Sequence, residues 1–190
     1  LYASLFCAAS ASVSSREQVL ELTIATAHPT TVPWVYMIRD FLIPEFNTRL
    51  SRQLPNLAVE WTQAYGTLYK WHNSLDVVEI GLADIGWVGA VWESSKLPLQ
   101  NITYALPFIT DDLPTLLRVI NRLHDEIPEL RRTWERYNTH FLGVSGVDTY
   151  HLMTKFPVNS LDDLRGRKIL APGSSAIWLK GTGAIAVDGA

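Results

Sequence analysis

The chain has 190 residues, 47% hydrophobic and 18% charged, enough to bury a core in one or two domains. A net charge of −3 with no basic stripe argues against a nucleic-acid partner. The single cysteine, Cys7, excludes an internal disulfide and any metal site built on several cysteines.

The chain opens on "LYASLFCAASASVSSREQ", an apolar, small-residue run containing Ala9-Ser10-Ala11. This reads as the tail of a secretory signal peptide plus linker over residues 1–18. Phe6, just before Cys7, is too bulky for a lipoprotein signal. No segment approaches the ~20 apolar residues of a membrane span. An exported, soluble mature protein is expected.

"VLELTIATA" alternates and is β-branched, so it predicts a strand. "HPTTVPW" is a loop, with Thr31 as a candidate cap and Pro33 in the first turn of a helix. That helix carries apolar residues at helical spacing from Trp34 to Leu50, and Pro44 should kink it. "NLAVEWTQA" is a second strand. "YGTLYKWHNSLDVVEIG" is a Gly turn and a helix ending at Gly81. "LADIGWV" is a short apolar strand of the buried parallel type, and "SSKLPLQNITYALPF" a loop with two prolines.

Asp111 and Asp112 precede a long helix with Pro114 in its first turn, divided at Pro128. "HFLGVSGVDTYHLMT" predicts a long strand, after which "SLDDLRG" is a capped turn. "RKILA", "AIWLKGTG" and "AIAVD" complete a strand–helix–strand unit. Strands and helices alternate throughout, which predicts an α/β fold with mainly parallel sheets.

The five histidines, at 28, 72, 124, 140 and 151, show no metal-site spacing and no HExxH, so structural or surface roles are expected. His28, in a loop after a strand, is the best placed to face a cleft. Asp162 and Asp163 follow Ser160 at a helix start, where capping explains them better than catalysis. Ser145 in "GVSGV" lacks the spacing and the following helix of a nucleophile elbow. "GTGAIA" follows a helix, so it is no dinucleotide turn.

Aromatic and polar groups instead collect in loops at strand ends: His28 to Trp34, Tyr65 to Tyr69, Trp87 to Glu93, Tyr150, and Pro172 to Trp178. In α/β sheets, ligands bind beyond the carboxyl ends of the strands. Trp61 and Trp71 belong to the core by periodicity, whereas Trp87 and Trp92 are cleft candidates.

Three runs in this order, "AYGTLYKWHNSLDVVEIGLADIGWV", "LPLQNITYALPF" and "KFPVNSLDDLRGRKILAPGSSAIWLKGTGAIAV", resemble the DctP-type solute-binding proteins of TRAP transporters. The resemblance covers almost everything after about Leu20, and the last run is its most specific part. It implies a periplasmic-binding-protein-like fold of two α/β lobes closing on one small organic solute, usually an organic acid. It also implies delivery of that solute to a TRAP-type membrane permease, with no cofactor, no chemistry and a monomeric receptor. Lobe one is expected over residues 19–145. Residues 146–190 should supply a strand crossing through Tyr150 and the start of lobe two, in a chain truncated at both ends.

One departure stands out. The family carries a solute-clamping Arg where this sequence has Leu170, and a second where it has Tyr150. Lys168 shares the strand parity of Leu170, whereas Arg167 points the other way. A ligand that needed a buried bidentate Arg would lose roughly 2–5 kcal/mol. The expected ligand-binding set is His28, Tyr65, Trp87, Trp92, Tyr150, Lys168, Leu170 and Trp178. A ligand-sensing domain for a membrane signalling partner is the alternative, and a hydrolytic α/β enzyme a weaker one.

Overall fold

The computed structural model describes residues 18–189, so the leader reading and Cys7 lie outside the described residues. Strand β1 (Gln18–Thr26) is followed by α1 (Pro33–Met37), a π-helical turn (Ile38–Leu42) and α2 (Ile43–Gln53). This crossover returns the chain to β2 (Leu57–Tyr65), which pairs in parallel with all nine residues of β1. Such a crossover is what joining parallel neighbours requires. A 3₁₀ turn (Trp71–Asn73) and α3 (Ser74–Glu79) then carry the chain to β3 (Ile85–Gly86) on the other side of β1. The sheet order is therefore β2-β1-β3, and β1 is deepest at Ile24, Ala25 and Thr26.

A 3₁₀ turn (Leu99–Asn101) and α4 (Ile102–Ala105) lie where the sequence predicts only loop. Two longer helices follow, α5 (Leu113–Glu126) and α6 (Pro128–Glu135). Pro128 separates them as predicted, because the residue before a proline is pushed out of the helical region; Ile127 sits at φ −107°, ψ 104°. Asp112 caps α5 by accepting from the Thr115 N–H. At Pro44 the expected kink takes the form of the π turn just before it. A proline clashes with the carbonyl four residues back, and widening the preceding turn relieves this. Thr31 does not cap α1: Val32 takes that position without a side-chain bond. Pro33 holds its neighbour extended, so the helix begins one residue later.

A second parallel pair joins β4 (Lys168–Leu170) to β5 (Ile185–Val187), connected through 3₁₀ segment Gly173–Leu179. The sequence predicts a loop over "PGSS" and a helix over "AIWLKGTG"; the observed segment is 3₁₀, starts earlier at Gly173 and ends at Leu179. The turn before β4 is a 3₁₀ segment (Leu161–Leu164) with a capping box, in which the Asp163 carboxylate accepts from the Ser160 N–H. The capping role expected for Asp163 holds. The predicted long strand over residues 140–154 does not: this stretch has no ladder bonds and is largely exposed. Alternating residues favour an extended chain, but a strand also needs a neighbour, and no described segment pairs with it.

Two buried clusters hold the first unit: Ala25, Val77 and Ala83 under β1, and Leu75, Leu97 and Trp134 beneath α6. Glu93, 4% exposed, joins them by accepting from the Leu75 N–H at 3.2 Å and the Ser74 hydroxyl at 3.4 Å. It thus serves α3 as an N-terminal cap from outside the helix. Replacing it with Ala would orphan those donors, and we expect a loss of about 1–2 kcal/mol in urea unfolding.

Candidate functional site

The order β2-β1-β3 makes β1 the point from which the chain departs on one side and to which it returns on the other. Ligands bind outside the strand ends at such a switch point. The carboxyl ends of the strands converge here: the Gly66 N–H donates to the Thr26 carbonyl (2.9 Å) and the Trp87 N–H to that of Ala25 (3.0 Å). Tyr69 ties β1 to the end of β3, its hydroxyl lying 3.0 Å from the Ala25 carbonyl and 3.1 Å from that of Trp87. Burial pushes its hydroxyl pKa up.

His28, two residues past β1, is 3% exposed. Its ring meets three indoles edge-on, Trp71 at 3.6 Å, Trp87 at 4.8 Å and Trp34 at 5.0 Å. Its Nδ1 has no hydrogen-bond partner in the protein, and burial lowers its pKa from 6.5 to about 4. Trp34 stacks on Trp87 at 5.7 Å, and Trp71 leans on Trp92 at 5.1 Å. The assignment of Trp71 to the core is thus corrected: it is half-buried and builds this aromatic cluster. Trp61 is also half-buried, edge-on to Phe46, with its indole N–H donated to Asn47 Oδ1.

In front of this cluster lies a cavity of about 1100 Å³. Trp34 of α1, Trp87 and Trp92 from the segment after β3, Tyr104 of α4, Tyr150 and Trp178 all line it. Trp178 stacks on Tyr104 at 5.4 Å and donates its indole N–H to the Tyr104 carbonyl at 2.8 Å. The Tyr104 and Tyr150 hydroxyls are 3.1 Å apart, and burial raises the Tyr104 pKa. These contacts fasten the second parallel pair to α4. Trp178→Phe keeps the ring and removes the N–H, so we expect a loss of about 1 kcal/mol in thermal unfolding.

Of the residues singled out from sequence, Trp87, Trp92, Tyr150 and Trp178 meet at the cavity, and His28 stands behind its indole wall. Tyr65, Lys168 and Leu170 do not line it. The Tyr65 hydroxyl donates to Gln63 Oε1. Lys168 and Leu170 share an outward face of β4, with Leu170 67% exposed. Arg167 packs over the Phe156 ring at 4.5 Å. Trp34 ends a loop that the sequence marks as a candidate, whereas Tyr104 lies in a stretch predicted as loop and outside the candidate set. Its contacts with Trp178 and Tyr150 give it a place in the wall.

Ser145 accepts the Trp87 indole N–H at 2.7 Å. His124 is structural: Nδ1 bonds the Ile120 carbonyl at 2.8 Å, Nε2 accepts from the Trp134 indole at 3.3 Å, and Phe141 stacks on the ring at 3.6 Å. Among the described residues no group of three or more His, Cys, Asp or Glu could hold a metal ion, and no helix is long and apolar enough to cross a membrane.

No protein-family model matches this sequence, and no curated protein does. Solved structures do. A TRAP periplasmic solute-binding protein from Sulfitobacter sp. NAS-14.1, with bound β-D-galacturonate, aligns at TM-score 0.63 and 17% identity over 89% of this chain and 55% of its own. DctP7, a Bordetella pertussis extracytoplasmic solute receptor binding pyroglutamic acid, aligns at TM-score 0.63 and 18% identity, over 89% and 54%. A TRAP periplasmic solute-binding protein from Desulfovibrio salexigens DSM2638 aligns at TM-score 0.57 and 21% identity, over 90% and 50%. The chain spans about half the length of these structures. The α/β fold of periplasmic solute-binding proteins, expected from the sequence, is the fold observed.

Proposed function

We propose that this chain is part of an extracytoplasmic solute receptor of the DctP type. It binds a small organic solute, an organic acid or a related polar metabolite, and hands it to a TRAP-type membrane permease from the periplasm. Residues 19–145 form its first lobe, and residues 146–190 lead into the second. It acts by binding and closure rather than by catalysis.

The observation that carries this reading is the aromatic-walled cavity at the switch point of the sheet. Both parallel units contribute to its wall, Trp87 from one and Trp178 from the other. The likeness in fold to solute receptors supports the same role. Titration with organic acids, zwitterions and amides, followed by intrinsic fluorescence, tests it. Binding should change the emission of the lining indoles, and silence across the whole panel would overturn the proposal.

A further inference from the structure

We infer that Ser145 is a positioning residue for the cavity: it holds the Trp87 ring in the orientation that the wall presents to a solute. The inference rests on the receptor reading and deepens it. The backbone of Trp87 is tied at both polar atoms. Its N–H donates to the Ala25 carbonyl at 3.0 Å, and its carbonyl accepts from the Tyr69 hydroxyl at 3.1 Å. That leaves the ring free to turn about two side-chain bonds. An indole has one polar group, the Nε1–H, so only this group gives the ring a directional tie. Here it donates to the Ser145 hydroxyl at 2.7 Å.

Ser145 lies in "GVSGV", within the stretch that forms no strand, so helix α5 has to set its place. It does so on both flanks. The Val144 N–H donates to Asn121 Oδ1 at 3.2 Å. Gly146 approaches the helix so closely that an added Cβ would meet Leu113 Cδ1 at 2.9 Å and Leu117 Cδ2 at 3.0 Å. A relay thus runs from Asn121 on α5, through the backbone of Val144 and Ser145, to the indole at the end of β3. Trp87 and Ser145 both line the cavity. A ring held in one orientation beforehand spares the cost of ordering it when a solute binds.

The test first follows the indole N–H signals of nitrogen-15-labelled protein by NMR without solute. Trp87→Phe identifies the Trp87 signal by its loss. Ser145→Ala should shift that signal and speed its exchange with solvent at least about threefold, while the Trp61 signal, from an indole outside the cavity, stays in place. Ser145→Thr, which keeps the hydroxyl, should restore it. Asn121→Ala should move the same signal and add nothing to Ser145→Ala. Titration then uses β-D-galacturonate, pyroglutamate and the wider panel of acids, zwitterions and amides. Solutes that bind the parent should bind Ser145→Ala about three- to tenfold more weakly. A Trp87 signal unmoved by Ser145→Ala overturns the inference and leaves the receptor reading standing, and so does a moved signal with unchanged affinity. Silence of the parent across the whole panel removes both.

Discussion

Gly173→Ala should destabilise the protein by about 2–5 kcal/mol, chiefly by detaching the second parallel unit from the first. Gly173 lies at φ +51°, and a Cβ there would meet the Val91 carbonyl oxygen at 2.0 Å. That carbonyl already accepts the Ser174 N–H at 3.1 Å, so neither backbone can give way without breaking the bond. The left-handed conformation accounts for about 1–2 kcal/mol and the overlap for about 1–3 more. Gly166→Ala supplies the control: its φ is +71° with nothing within 4 Å of the added carbon, so only the conformational part applies. Urea midpoints of the two variants should separate clearly. Equal midpoints would mean that the approach at Val91 is not tight in solution.

Stability should fall between pH 6.5 and about 4 by as much as about 3 kcal/mol because of His28 alone. In the folded state its pKa is about 4, since the ring is shut among indoles. In the unfolded chain it returns to about 6.5. Unfolding therefore takes up a proton across this window, and stability rises with pH there. The contribution is full above 6.5 and lost as pH falls toward 4. His28→Phe keeps an aromatic ring and cannot titrate. The difference in urea-derived stability between pH 7.5 and 4.5 should shrink by a few kcal/mol in the variant, the carboxylates being common to both proteins. An unchanged difference would show that His28 is solvated.

How much of this was legible in the sequence differs from element to element. Strands β1 and β2 show period-two alternation, and the breaks at Pro33, Pro44 and Pro128 follow from proline geometry, which is local. Residues 140–154 carry the same alternation and form no strand, because a ladder depends on a neighbour that local pattern does not encode. The candidate site was partly legible through loops at strand ends, since parallel topology itself puts those loops at one edge. Periodicity places Trp71 in the core because spacing reports that a side chain faces inward, not that it faces a buried histidine. The pairing of Tyr104 with Trp178 spans 74 positions and leaves no local trace.

The sequence by itself determined the α/β alternation, the capping role of Asp163 and the absence of an arginine at positions 150 and 170. These rest on backbone preferences, residue order and side-chain identity. Only the tertiary structure decided that Trp34, Trp71 and Trp87 enclose His28, that Leu170 and Lys168 turn outward, and that Trp87 and Trp178 come to line one cavity. Those facts depend on which distant surfaces meet, and that is settled by long-range packing.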